Sequence, residues 1–310
     1  MSESLAAASD ICAVIVTYFP QPECAENLVA LAPQVAHILI VDNGSSAESL
    51  APIEAAASGL GATVLRLGQN LGIAAALNAG LAFAHERGYR WLGTFDQDSR
   101  ATTTMIARMI ETLQSYPQAE RVAVVAPVQR EHELDIGYAG LHTLVAGRDW
   151  RLLAMAMTSG NLVNVAAAMA AGGFDATLFI DYVDHEFCFR LRRRGRQILE
   201  ASNAILIHSL GKMEVRKFLW KRPRISHHPP VRRYYITRNR VIVWRQNWRF
   251  DWGWTWRDVR NFLYEIAYIV LWEKQVPAKL WMMVRGICDG LRDVRGPIDA
   301  RAMPQRAEAP

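Results

Sequence analysis

ICAVIVTYFPQPECAENLVALAPQVAHILIVD (residues 11–42) is the stretch that decides the fold. Its opening run, Ile11 to Thr17, is apolar and rich in β-branched residues, and it ends in the turn Tyr18-Phe19-Pro20. Glu23 to Val35 has helical spacing. His37 to Asp42 is a second apolar run, closed by Asn43-Gly44, a strong turn signal. Strand, helix and strand in so short a span form a βαβ unit, whose strands lie parallel. Working outward, the rhythm repeats. A helix is expected through Ser49–Ser58, a strand over Thr63–Leu67 and an Ala-rich helix over Asn70–Glu86. A strand over Trp91–Phe95 ends at Asp96, and another covers Val122–Ala126. The expectation is an α/β fold, a mostly parallel sheet flanked by helices. Ligands of such sheets bind at the carboxyl ends of the strands, so Thr17, Asp42, Asn70 and Asp96 should gather along one edge.

The rest of the chain is mixed. Ser159–Asn164 reads as strand and turn, followed by an Ala-rich helix to Ala171 that Gly172-Gly173 stops. A loop through Asp175–Asp184 leads into a helix over Glu186–Arg194, and Ile198–Ile207 begins as a strand and ends near His208. Beyond Gly211 the chain turns basic and aromatic with helical periodicity, broken by Pro229-Pro230. Phe262–Trp272 reads as a packed or interfacial helix. The expected division is 10–212 for the α/β domain, 213–295 for a basic Trp-rich helical extension, and 296–310 for a disordered tail.

Composition narrows the classes. The chain has 310 residues, 51% hydrophobic and 21% charged, which supports a large core and excludes global disorder. Cys12, Cys24, Cys188 and Cys288 are scattered, so a disulfide framework or zinc knuckle is not expected and a reducing cytosol fits. The first residues lack the basic and apolar regions of a signal peptide, and no apolar run reaches the ~20 residues that span a bilayer. The net charge of +5 is uneven: Arg190 to Arg260 holds nineteen Lys/Arg against four Asp/Glu. Trp220, Trp244, Trp248, Trp252, Trp254, Trp256, Trp272 and Trp281 lie in or just beyond that stretch. Three readings fit: an anionic membrane surface, a nucleic acid, or a solvated basic face over a Trp-rich core. There is no GxGxxG, GxxxxGK[ST] or GxSxG, which removes the main support for dinucleotide-binding, P-loop and α/β-hydrolase readings.

Two acidic clusters carry the chemistry. Asp96-Gln97-Asp98 follows an apolar strand directly, and a side-chain period of two turns both carboxylates to one side. Paired hard oxygens suit Mg²⁺ or Mn²⁺, although an isolated Asp-x-Asp is more often a solvated turn. Asp181-Tyr-Val-Asp184-His-Glu186 is the second cluster, at or just before a helix start. There an acid can cap the helix or complement its dipole, or serve as general base toward a hydroxyl. His208 closes a strand-like run and could be structural or a metal ligand. Asn70-Leu-Gly72 opens a helix whose N-terminus favours an anion, while Ala74–Ala76 reads as tight packing on the sheet.

Taken in order, VIVTYFP, ILIVDNGS, NLGIAAALNAG, FDQDS, TSGNLVN, GGFDATLFIDYVDHEFCFRLRRRG and IHSLG resemble family 2 glycosyltransferases of the GT-A fold, nearest in likeness to bacterial rhamnosyltransferases of O-antigen-like polysaccharides. The resemblance implies an inverting transferase. Thr17, Tyr18 and Asp42 would contact the nucleoside, and Asn70 and Gly72 would line its pocket. Asp96 and Gln97 would lie at the donor, Asp98 and His208 on the metal, and Gly160 and Asn161 on the acceptor side. Asp184 matches the base, although the spacing also admits Asp181 or Glu186. The implied partners are a nucleotide-sugar donor, dTDP-rhamnose first, and a saccharide or polyprenyl-linked acceptor, with no nucleic acid. Peripheral association at the cytoplasmic face of the membrane follows from charge and tryptophan. The competing classes are a nucleotidyltransferase, disfavoured because Thr17–Pro20 lacks Gly and Lys, and a non-catalytic membrane- or nucleic-acid-binding protein.

Overall fold

The computed structural model describes residues 6–130, 149–208, 214–215 and 224–298. The side chain of His208, the Ser209-Leu210-Gly211 end of IHSLG, Trp220 and residues 299–310 lie outside the described residues, whereas Gly296 and Ile298, at the start of the expected disordered tail 296–310, are ordered by hydrogen bonds to Thr177 and Tyr235. Two compact units divide the chain: residues 1–176 with 183–209, and residues 177–182 with 210–310.

The first unit opens with β1 (Ile11–Thr17), α1 (Cys24–Leu31), β2 (His37–Asp42), α2 (Ala47–Leu60), β3 (Thr63–Arg66), α3 (Ile73–Glu86) and β4 (Trp91–Asp96). It continues through β5 (Ser99–Ala101), α4 (Met105–Ser115), β6 (Val122–Arg130), β7 (Trp150–Leu153), β8 (Asn161–Asn164), α5 (Val165–Ala171), α6 (Val183–Arg193) and β9 (Gln197–His208). The sheet runs β3-β2-β1-β4-β8-β6-β9-β5, with β7 also on β9. From β3 to β4 it is parallel, with Thr17 beside Asp42 and Val16 beside Asp96. Every residue of β1 is buried, as a parallel strand covered on both faces requires.

The later half departs from that rhythm. β8 runs antiparallel to β4 and β6, and β5 and β7 run antiparallel to β9. The helix α4 has no counterpart in the sequence reading, although Met105, Ile106, Met109 and Leu113 form its buried stripe. Asp184 is the second residue of α6, inside the first turn rather than capping it.

The second unit has a short hairpin, β10 (Glu214–Val215) with β11 (Arg224–Ile225), and three helices, α7 (Pro230–Asn247), α8 (Trp252–Trp272) and α9 (Val276–Leu291). Pro229-Pro230 starts α7, where a proline costs no hydrogen bond. Gly286 and Gly290 let α9 lie against the α7 backbone; a Cβ on Gly290 would come within 2.7 Å of the Arg238 carbonyl oxygen. The picture of a solvated basic face over a Trp-rich core holds only in part: Arg245, Arg249, Arg257 and Arg260 are exposed and Trp254 is buried, but other residues run the opposite way. Arg233, Arg238, Arg240 and Lys279 are buried, whereas Trp248, Trp252, Trp256 and Trp281 are exposed. The reason is pairing. Arg233 bonds Glu265 and Glu273, Lys279 meets Glu273 at 2.6 Å, and Arg240 meets Glu265 at 2.7 Å. Arg238 donates to the Leu178 carbonyl at 3.0 Å. No described helix is long and apolar enough to cross a membrane.

Candidate functional site

The carboxyl ends of β1, β2 and β4 meet at one edge through their parallel register. Asp42 is 2% exposed, and its carboxylate organises the turn that follows. Thr17 Oγ1 donates to Oδ1 at 3.2 Å, and the amides of Gly44 and Ser45 donate to Oδ2 at 3.2 and 3.0 Å. Gly44 has φ +97°, and a Cβ there would come within 2.6–2.7 Å of the Gln69 and Asn70 backbone. The turn therefore runs flush against the entry to α3. Asn43 and Asn70 bond each other at 3.1 Å and accept the amides of Leu71 and Gly72 at 2.9 and 3.0 Å. Those two amides at and just before the N-cap of α3 are engaged by side chains.

Asp96-Gln97-Asp98 forms the turn between β4 and β5. The Gln97 side chain accepts from the Tyr18 amide at 2.8 Å and donates to the Tyr18 carbonyl at 3.3 Å, tying this turn to the end of β1. Asn27 donates to the Gln97 carbonyl at 2.8 Å. The Asp96 amide donates to Ser159 Oγ at 3.0 Å, and Ser159 Oγ donates to Ser99 Oγ at 2.6 Å. Asp98 is exposed. The β5–β9 ladder sets the His208 backbone opposite Ser99, the residue after Asp98. Among the described residues, no three His, Cys, Asp or Glu side chains converge as a ready cage. One or two carboxylates, however, are what a hard cation needs when phosphate and water complete its shell.

Asp184 lies in a narrow niche with Thr94, Thr158, Asn161, Phe174, Phe187 and Cys188. Its side chain is 20% exposed, and its Oδ1 accepts from the His185 amide at 2.8 Å and meets His185 Nδ1 at 2.7 Å. Burial works against its charge, but the His185 ring and the hydrogen bonds from that ring and from backbone amides together hold the carboxyl below the usual carboxylate range. The thiol beside it cannot act as a nucleophile, because burial pushes Cys188 up to about 12.

The neighbouring acids are committed elsewhere. Glu186 is buried and takes Arg190 in two bonds of 2.8 and 2.6 Å. Asp181 belongs to the second unit and takes Arg232 in two bonds of 3.2 and 3.1 Å. Residues 158–161 support both acidic clusters. Ser159 holds the Asp96 amide, Thr158 and Asn161 line the Asp184 niche, and the Gly160 amide donates to the Thr94 carbonyl at 2.6 Å. Asn161 Oδ1 is buried without a hydrogen-bond partner. Sequence reasoning missed Ser159 and Ser45, whose hydroxyls hold the turns, and the exposed Phe19, whose ring meets Tyr18 edge-on at 4.8 Å. Short polar residues in turns carry no signal that separates these roles.

Comparison with known proteins places the chain in a family. The family model described as Glycosyl transferase family 2 matches residues 12–177. A "dTDP-rhamnosyl transferase RfbF" of Shigella flexneri is 28% identical over 302 residues, covering 93% of this chain and 97% of that protein. Among solved structures, the mannosyltransferase PcManGT of Pyrobaculum calidifontis, in complex with GDP-Man and Mn2+, superimposes with a TM-score of 0.55 at 14% identity, covering 98% of this chain and 79% of that one. S. aureus TarS 1-349 in complex with UDP-GlcNAc gives 0.52 at 12% identity, covering 92% and 73%.

Proposed function

The chain belongs to glycosyl transferase family 2 and is a glycosyltransferase, and from that premise we propose that it inverts the anomeric centre of L-rhamnose. The donor is dTDP-rhamnose, and the product is a saccharide or polyprenyl-linked intermediate of an O-antigen-like bacterial polysaccharide. The choice of sugar rests on the likeness to the dTDP-rhamnosyl transferase, which runs nearly end to end in both chains.

The observation that carries the mechanism is the shared support of the two acidic clusters on residues 158–161. Thr17, Tyr18 and Asp42 shape the nucleoside side of the edge, with Asn70 and Gly72 forming its floor. Asp98 would hold a divalent cation, Mg²⁺ or Mn²⁺, with help from Asp96 and from His208 across the ladder. Bound there, such a cation would neutralise the charge of the departing diphosphate. Asp184 takes the proton of the acceptor hydroxyl, whose oxygen forms the new bond to the anomeric carbon as the bond to the diphosphate breaks. Asp184 is preferred over Asp181 and Glu186 because each of those is committed to an arginine. Gly160 and Asn161 shape the acceptor side.

The enzyme works at the cytoplasmic face of the membrane as a peripheral protein, held by the exposed Trp and Leu side chains of α8 and α9. Several arginines of the basic stretch are buried in ion pairs and so are not offered to a nucleic acid. The test is release of nucleoside diphosphate from dTDP-rhamnose, UDP-GlcNAc and GDP-Man, with Mn²⁺, with Mg²⁺ and with chelator. Turnover of dTDP-rhamnose, abolished by chelator and in Asp98→Ala, is expected. Turnover of another donor alone overturns the sugar assignment, and chelator-resistant turnover overturns the metal.

A further inference from the structure

Residues 178–182 form a short strap whose last residue immediately precedes α6. Phe179, Asp181 and Tyr182 have φ of +67°, +62° and +62°, the left-handed region that residues other than glycine rarely enter. Three such residues out of four, none of them glycine, make this a strained segment. Strain of this kind persists only where the surroundings over-determine it, and it gathers at functional sites.

The surroundings here are side chains of α7 and α8. Asn239 is fully buried, and its amide nitrogen donates to the carbonyls of Leu178, Ile180 and Asp181 at 2.9, 2.7 and 2.9 Å. Arg238 Nε donates to Asn239 Oδ1 at 3.0 Å, which fixes the end of the amide that faces the strap. The Arg238 guanidinium adds its own bond to the Leu178 carbonyl. Arg232 takes the Asp181 carboxylate in two bonds, and Phe179 stacks on Tyr235 with centroids 5.1 Å apart. The Tyr182 hydroxyl donates to Asp258 at 2.9 Å and accepts from Arg240. Asparagine is a poor choice for the interior of an 18-residue helix, so its place there is explained by what it bonds. It bonds carbonyls that no strand or helix of the strap's own would satisfy.

All these partners lie in the second unit, and the chain passes into the first at Val183. The next residue is Asp184. The connection from the strap to the base is therefore covalent and one residue long.

We propose that Asn239 is a positioning residue for Asp184: by holding residues 178–182 in their left-handed course, it fixes where α6 begins and so where the carboxylate lies. The assignment rests on the reading of Asp184 as the base. Without the Asn239 amide, the three left-handed residues relax toward the backbone regions they prefer, and the start of α6 moves with them. A misplacement of about 1 Å at a reacting group can cost about 10²-fold in rate.

The test is a double-mutant cycle in the full-length enzyme. It reads kcat and KM for nucleoside diphosphate release from whichever of dTDP-rhamnose, UDP-GlcNAc and GDP-Man the wild type turns over, with a melting curve for each variant. Asn239→Ala should lower kcat by about 10–100-fold and leave the donor KM within about twofold. Placed in the Asp184→Asn background, it should lower the residual rate by less than about twofold, because a residue that acts through Asp184 has nothing left to act on. A residue that only supports the fold would lower both backgrounds alike. Should Asn239→Ala not fold, Arg232→Ala, at a side chain 43% exposed, carries the same expectation at about threefold in kcat. Full turnover in the folded variant, an equal loss in both backgrounds, or a loss confined to KM overturns the positioning role. Wild-type turnover in Asp184→Asn alone overturns the base reading instead, and the cycle tells the two failures apart.

Discussion

In β1 every residue from Ile11 to Thr17 is buried, and the charged Asp98 and Arg100 of the same unit are exposed beyond the end of β4. In α7 the buried residues include Arg233, Arg238 and Arg240, while Trp252 and Trp256 at the start of α8 are 71% and 61% exposed. The first unit fills β1 with hydrocarbon and leaves Asp98 exposed at its edge. The second mixes paired cations into its buried core and leaves several of its tryptophans exposed. A buried guanidinium costs several kcal/mol of desolvation, and ion pairs at best restore it, so this core gains little stability from its cations. What it gains is a defined set of partners, and a surface whose tryptophans suit an interface that is not water.

The sharpest way to separate the two units is to damage one residue in each and read different quantities. Asp184→Asn should lower transfer by roughly 10²–10⁴-fold, the usual worth of a general base, with an unchanged melting curve. A variant that keeps near wild-type turnover removes Asp184 from the mechanism. Its pH profile adds a second check. Because His185 holds the Asp184 carboxyl below the usual range, the acid limb of kcat/KM should fall only below that range. His185→Ala should move that limb upward.

Glu273→Ala should instead be read in the stability of the second unit. Glu273 is 2% exposed in its side chain and bonds both Arg233 and Lys279, so its loss strands the buried Lys279 and leaves Arg233 with Glu265 as its acid. Breaking such a pair costs about 3–5 kcal/mol, readable by urea denaturation. Glu111→Ala, which removes the exposed partner of Arg108, should leave the same curve unmoved. Equal effects from the two substitutions would erase the contrast between the units.

A milder probe is pH. His228 is pushed down to about 3, by burial first and then by Arg232, Arg233 and Lys279. Between its ordinary value of 6.5 and about 3, the unfolded chain takes a proton that the folded one refuses. Stability of the second unit should therefore be complete above 6.5 and decline as pH falls through that window. His228→Asn should flatten the decline; an unaltered slope would assign it to other groups.

The legibility of the chain follows the same divide. β1, β2 and β4 could be read because each is a buried apolar run with a marked turn, and the Asp96–Asp98 turn could be read from the strand before it. β5 spans three residues and β7 is a short, incompletely buried strand, too little for periodicity to register. The commitment of Asp181 to Arg232, 51 residues away, is a tertiary fact that no local pattern encodes. The same holds for Arg238, whose charge argued for the surface but which donates to the Leu178 carbonyl from the interior. Composition counted the cations and tryptophans of the second unit but carried no signal for which of them face water.

The smallest expected effect on stability is also the one that decides why the tryptophans are outside. Trp252 and Trp256 stack on each other at 6.3 Å on the exposed side of α8. If their place is a lipid interface, Trp252→Ser with Trp256→Ser should change folding stability by no more than about 0.5 kcal/mol, as for surface positions that pack on nothing. The same pair should abolish flotation with anionic liposomes, because aromatic rings at the headgroup level supply the apolar part of such binding and basic residues only the salt-sensitive part. Wild-type flotation that survives the double substitution, or a stability loss above about 1 kcal/mol, would make these rings packing groups of the fold and leave the buried arginines without a membrane-facing counterpart.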